Sequence, residues 1–235
     1  MARAAGALSV VDGVCAVGGE ALRMAAWDVD VALTASQKAL GVPPGLALLM
    51  ARPRALELFH GRTRPVSSYY ADWSNWLPIM QAYQARKPAY FGTPAVNLAL
   101  ALDVSLTQII AEGMEARTAR HARLSEAFKA ALTALGLSQL PLRPDVAAHT
   151  MSAAYYPAGV DGAELLSKIN AAGVILAGGL YPALRTRYFR IGHMGAVSAA
   201  DILTTVRALE EGLQAVGYHF DAGSGLAAAQ RLLVS

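Results

Sequence analysis

Lys38 stands alone as a charge in the stretch Thr34-Ala35-Ser36-Gln37-Lys38-Ala39-Leu40-Gly41-Val42-Pro43-Pro44-Gly45. A strand-like run, Asp28 to Leu33, precedes it, and two prolines and a glycine close the loop behind it. If the small and apolar neighbours pack, the ammonium is held beside a desolvating surface. A lysine in that setting loses its proton readily, and a free amine condenses with an aldehyde. On residue types alone the alternative is a loop lysine whose stem lies on apolar surface while its charge reaches water.

A second ionisable group bears on the choice. Ala7-Leu8-Ser9-Val10-Val11 is short, continuous and apolar, as a buried strand would be, and Asp12-Gly13 ends it. A carboxylate at the carboxyl end of a buried strand in an α/β sheet faces the crevice where ligands bind. The plain alternative is a turn former. Together the acid and the amine meet the two demands of pyridoxal phosphate. The cofactor needs a lysine for its aldehyde and an acid that keeps the ring nitrogen protonated, so that the ring withdraws electrons.

Asp12-Gly13-Val14, Val17-Gly18-Gly19 and Ser36-Gln37-Lys38-Ala39-Leu40 with Pro43-Pro44-Gly45 resemble the class V, fold-type I aminotransferases. Within them the pattern is most similar to the alanine–glyoxylate and serine–pyruvate branch, from about Ser9 to about Tyr218. The resemblance implies a homodimer that moves an amino group from L-alanine or L-serine to glyoxylate, with pyridoxal 5'-phosphate as cofactor. It implies that Lys38 holds the cofactor and serves as general base and acid, that Asp12 faces the ring nitrogen and that Val14 lies on one ring face. Gln37 is implied as a phosphate contact, and Tyr90 and Thr93 as phosphate contacts reaching across the dimer interface. Arg190, in Tyr188-Phe189-Arg190-Ile191-Gly192-His193, is implied as the holder of the substrate carboxylate. Each has a structural alternative: core packing for Val14, helix capping for Thr93, an edge charge for Arg190. Phe91-Gly92 stands between Tyr90 and Thr93 where relatives commonly carry histidines.

The same resemblance implies a longer amino-terminal half with a small-residue loop for the cofactor phosphate. No Gly/Ser/Thr-rich loop of that kind occurs in the 235 residues. The expectation is therefore a carboxyl-terminal portion of such an enzyme, which binds the cofactor poorly by itself. Rival readings are a cysteine desulfurase, a phosphoserine aminotransferase, or a truncated pseudo-enzyme that only dimerises. The first needs a mobile cysteine far along the chain, whereas the single cysteine, Cys15, sits beside Asp12 and is expected to be buried and inert. The second wants extra basic contacts that the sequence does not offer.

Composition narrows the partners. Hydrophobic residues make up 54% and charged residues 16%, which excludes disorder and points to surface that something else covers. A net charge of +3 with scattered Arg and Lys gives no reason to expect nucleic acid. No apolar run reaches membrane-spanning length, so no membrane partner is expected. One cysteine cannot form an intramolecular disulfide and suits a reducing, intracellular compartment, cytoplasmic or organellar, with no clear targeting signal. His149, His193 and His219 lack ligand spacing, and no metal motif is present.

The alternation of elements reads as α/β: part of a transferase large domain with a mainly parallel sheet (1–136), then a small α+β domain (137–235). Gly136, Pro141 and Pro144 mark the division. Pro53 opens a helix to about His60, and Thr93-Pro94 reads as N-cap and first turn of a helix to about Glu112. A helix over 115–135 follows, with Leu124, Phe128, Leu132 and Leu135 on one face. Strands are expected over 29–33, 45–51, 149–156, 173–177 and 187–192, and capped helices after Asp161 and Ser198.

Overall fold

A computed structural model describes residues 2–233. Its first sheet has three strands in the order β1 (Val10–Asp12), β2 (Val31–Ala35), β3 (Ala47–Ala51). β1 runs parallel to β2, with Asp12 opposite Leu33, while β3 runs antiparallel to β2. The sheet is therefore mixed, not mainly parallel. The link from Ala35 to Ala47 is too short for a helical crossover, so the chain must return alongside itself.

β1 also corrects the expected buried strand at 7–11. It starts at Val10, which is 60% exposed, because this edge strand has a partner on one side only. The buried strand is β2, where Val31, Ala32 and Thr34 are all buried.

Helix α1 (Pro53–His60) begins where its proline predicts. α2 (Trp73–Gln84), in an aromatic stretch with no clear periodicity, is capped by Asp72, whose carboxylate accepts from the Ser74 amide at 3.0 Å. α3 (Val96–Glu112) starts three residues after the expected Thr93 cap; Ala95 occupies the N-cap position and no side chain caps the helix. Thr93-Pro94 precedes the helix, and the Val96 amide donates to Pro94 O at 2.9 Å, so the capping role expected of Thr93 is not the one it has here. α4 (Met114–Ala134) follows directly after Gly113.

The second sheet is antiparallel, in the order β4 (Met151–Tyr155), β6 (Tyr188–Gly192), β5 (Ala177–Gly178). β5 is two residues long and shares only Ala177 with the strand expected over 173–177. α5 (Gly162–Ala171), α6 (Ala199–Ala215) and α7 (Ser224–Leu233) pack with α4 on this sheet. The expected α4 face, Leu124, Phe128, Leu132 and Leu135, lies in one cluster with Leu165, Ile169, Phe189, Ile191, Val206, Leu209 and Leu213. α5 and α6 approach so closely that a Cβ on Gly212 would stand 2.6 Å from Ile169 Cγ1. The Ser198 start is a full capping box: its hydroxyl accepts from the Asp201 amide, and Asp201 accepts from the Ser198 amide at 2.8 Å. α7 was not foreseen; Glu210 of α6 accepts from the Gly223 and Leu226 amides at 3.1 and 3.0 Å and so holds its first turn. No single described helix is long and apolar enough to cross a membrane.

Candidate active site

The parallel pairing of β1 and β2 sends two turns out from one end of the sheet. The first carries Asp12 and Val14. Asp12 is exposed, and its Oδ1 accepts from the Val14 amide at 3.0 Å, which fixes the carboxylate over its own turn. Gly13 donates to Leu33 O at 2.9 Å, and the Thr34 hydroxyl donates to Val14 O at 3.4 Å, so this turn rests on β2. A Cβ on Gly13 would meet Val17 Cγ2 at 2.7 Å and Leu33 O at 3.3 Å; the approach needs glycine. Cys15 lies on this turn and is exposed, not buried as expected, because the turn projects beyond the end of the sheet.

The second turn carries Gln37 and Lys38. Ser36 is its clamp: the buried hydroxyl donates to Pro43 O at 2.7 Å and accepts from the Leu46 amide at 3.2 Å. Gly41 N–H donates to Lys38 O at 2.9 Å, closing a tight loop. Ala39, Leu40 and Val42 are buried, as the apolar flank of the lysine requires. Gln37 is exposed and Lys38 half-buried. The described residues offer the Lys38 amine no hydrogen-bond or ion-pair partner. Asp12, Val14, Gln37 and Lys38 are thus brought to one edge. Two concavities lie elsewhere, one beside Trp73 and one beside Tyr155, and neither is lined by these four residues.

Beneath both turns runs a charged network that the sequence does not announce. Arg117 of α4 is 5% exposed, and its guanidinium serves three acceptors. Nε donates to Gly18 O, Nη2 to Ala39 O and Nη1 to Glu112 Oε2, each at 2.7 Å. Arg120 also holds Glu112, through Nε at 2.6 Å, and donates to Gly195 O and Val197 O at 3.1 and 2.9 Å. The hydrogen bonds of Arg120, with those of Arg117, hold the Glu112 carboxyl at about 2. His121 is buried; the Gly195 amide donates to its Nε2 at 3.0 Å. Its Nδ1 therefore carries the proton and donates to Arg117 O at 2.8 Å. Burial lowers the His121 pKa, consistent with a neutral ring. In the sequence nothing distinguishes Arg117 and His121 from their exposed neighbours Glu115 and Ala119; only the packing reveals that these two are buried.

Arg190 lies on the central strand of the second sheet, with Phe189 and Ile191 buried on the opposite face as alternation predicts. Its Nε donates to Gly178 O at 2.8 Å, which orients the fork. β6 continues into the loop holding Gly195, where a Cβ would stand 3.7 Å from Lys38 O and 3.6 Å from Ala39 O. The arginine strand and the lysine turn are therefore neighbours along the chain path. Tyr90 and Thr93 are exposed, and no hydrogen bond among the described residues joins them to the lysine turn. Phe91 fixes their segment by packing on Trp76 and Tyr69, with ring centroids 4.9 and 5.0 Å apart.

His149 pairs with Glu20 across 2.9 Å and tethers β4 to the first turn. His193 is buried between the Ser152 hydroxyl and His149 O, at 2.9 and 3.0 Å. Both are structural, as expected from their spacing.

Residues 1–207 match the family described as aminotransferase class-V. The chain belongs to the class-V aminotransferases. It is 38% identical over 193 residues to alanine–glyoxylate aminotransferase 1 of Saccharomyces cerevisiae, covering 80% of this chain and 49% of that protein. It is 35% identical to serine–glyoxylate aminotransferase of Arabidopsis thaliana, covering 97% of this chain and 55% of that one. Among solved structures, ureidoglycine–glyoxylate aminotransferase from Bacillus subtilis superposes with a TM-score of 0.91 at 27% identity, covering 99% of this chain and 59% of that one. This class-V chain thus spans about half the length of these relatives, from 49% to 59%. Its architecture is that of the fold-type I transferases, a mixed-sheet unit followed by a small α+β unit.

Proposed function

We propose that this chain takes part in pyridoxal-phosphate-dependent transamination, with L-alanine or L-serine as amino donor and glyoxylate as acceptor. The observation that carries the reading is the shared edge: Asp12 ends one strand of a parallel pair and Lys38 follows its neighbour. The residues fit the acid-and-lysine part of a pyridoxal phosphate site. The Asp12 carboxylate keeps one oxygen committed to the Val14 amide and leaves the other without a partner among the described residues. When bound, pyridoxal phosphate supplies an electron-withdrawing ring that spreads the negative charge left by the substrate α-proton.

This chain's residues do the rest. Lys38 Nζ would hold the cofactor through its aldehyde and would serve as general base and acid for the substrate α-proton. Asp12 would hold the ring nitrogen's end of the cofactor and favour its protonated form. Arg190 receives the substrate carboxylate on its two Nη groups while Nε stays on Gly178 O, a bidentate arrangement that sets the α-carbon's orientation. Val14 would bound the cofactor on one side, and Gln37, Tyr90 and Thr93 would hold its phosphate, the last two from a second copy in a homodimer. The apolar, exposed face of α3, with Val96, Leu100, Val104 and Ile110 each more than half exposed, supports such an interface. The division into 1–136 and 137–235 belongs to the same proposal.

The substrates follow from the relatives. All three named above act on glyoxylate by their names, while the partner substrate differs among them. The test is glycine formation from L-alanine and glyoxylate in the presence of pyridoxal phosphate. The wild-type chain is expected to produce glycine and pyruvate together, and Lys38→Ala to lose about 10²–10⁴-fold of that rate. Equal rates in both would remove Lys38 from the chemistry. No product from either would favour a non-catalytic chain that dimerises through α3.

A further inference from the structure

The acid turn and the lysine turn belong to different loops, and their separation must be set by something that touches both. Few contacts do. The strand pairing ends at Asp12 and Leu33, before either turn begins, and the Gly13 and Thr34 bonds reach only the first residues of the acid turn. Beyond them, one side chain from a remote helix grips both loops. Arg117 Nε donates to Gly18 O in the first turn, and its Nη2 donates to Ala39 O, next to Lys38, both at 2.7 Å. The third direction of the fork is fixed by Glu112 at 2.7 Å, so the planar group cannot swivel between its two carbonyls. Gly18, with φ at +90°, turns its carbonyl toward the arginine; a Cβ there would be 3.1 Å from Leu40 Cδ2 of the lysine turn.

We propose that Arg117 is a positioning residue for the transamination proposed above, a buried fork that sets the gap between the Asp12 turn and the Lys38 turn. It rests on that reading for its purpose, but the fork's hold on the two turns can be measured without cofactor. Lysine at this position keeps the charge and part of the length, yet a single ammonium cannot present a rigid planar pair of donors to two separate carbonyls. The consequence is local. Both turns loosen, while the core formed by α4, α6 and β6 keeps its packing.

The test is amide hydrogen exchange of the wild-type chain and of Arg117→Lys, followed by titration of each with pyridoxal 5'-phosphate. In the variant the Val17, Gly19, Glu20, Gly41 and Val42 amides, all hydrogen-bonded within the two turns, are expected to exchange at least about tenfold faster. Amides of β6 and α6 are expected to keep their rates. In the titration, half-saturation for the variant is expected to rise by about tenfold or more, with a displaced absorbance maximum of the bound cofactor. Unchanged exchange in the turns would overturn the proposal. A uniform rise across the whole chain would also overturn it, since that is the mark of a residue that only stabilises the fold. If neither chain binds the cofactor, the transamination reading fails, while the exchange result still judges the fork. Should Arg117→Lys not fold, Glu112→Gln releases the fork's third anchor. The same amides should then exchange about two- to threefold faster, and no change at them would count against the proposal.

Discussion

At the scale of single residues, the site divides into groups exposed for chemistry and groups buried to hold them. Asp12 and Gln37 are exposed and Lys38 half-buried, whereas Ser36, Arg117 and His121 beneath them are buried and hydrogen-bonded. Arg190 belongs to the first group although it lies on a strand, because Gly178 uses only its Nε. Arg190→Ala should therefore weaken binding of the amino donor without disturbing the turns. Loss of a bidentate carboxylate contact is worth about 2–3 kcal/mol, or roughly 30- to 150-fold in KM, with the bound-cofactor spectrum unchanged. A spectrum that changed with the KM would place Arg190 against the cofactor instead.

At the scale of elements, much was legible where a local rule governs. Pro53 starts α1, Ser198 and Asp201 box the start of α6, and the four-residue apolar face of α4 is buried as its spacing predicts. Ser198→Ala should cost about 1 kcal/mol, read as a lower urea midpoint with an unchanged denaturant slope. What was not legible depends on contacts between elements. α7 owes its first turn to Glu210, thirteen residues before Gly223, and nothing in its own sequence announces that partner. Thr93-Pro94 has the look of a helix start, yet the chain is still outside the helix there while Phe91 packs on Trp76, and α3 begins at Val96. The run of Val10 and Val11 reads as buried because it is apolar; its place at a sheet edge leaves it exposed. In the candidate site, the placement of Asp12 and Lys38 at one edge of the sheet was legible from residue type and order. Arg117, Arg120 and Glu112 were not, since a charged helical repeat looks the same whether water or two backbone turns cover it.

At the scale of the whole molecule, acid sensitivity follows from the histidines at the join between the two sheets. Burial, with the nearby Lys129 charge, pulls the His193 pKa down to about 4 from 6.5. The folded state thus binds the proton less readily than the unfolded chain. That group's contribution is complete above pH 6.5 and is lost as the pH falls from there toward 4, amounting to about 3 kcal/mol. His121 has the same sign. Glu112 acts lower: its contribution is complete above its ordinary value of 4.5 and lost toward pH 2. Urea unfolding should therefore give a lower stability at pH 5 than at pH 7, and His193→Gln should flatten the slope between them. A wild-type stability that was level from pH 7 to pH 4 would contradict this account of the join.

The functional expectations lean on a single spatial claim, that the strand-end acid and the loop lysine face one cofactor. The direct measurement is to add pyridoxal phosphate to the intact chain, reduce with borohydride and map the modified lysine. The account predicts that the label falls on the peptide containing Lys38, in preference to Lys87, Lys129 and Lys168, and that Asp12→Asn weakens this labelling by about tenfold or more. Label spread evenly over the four lysines, or labelling of Lys38 indifferent to Asp12→Asn, would contradict it.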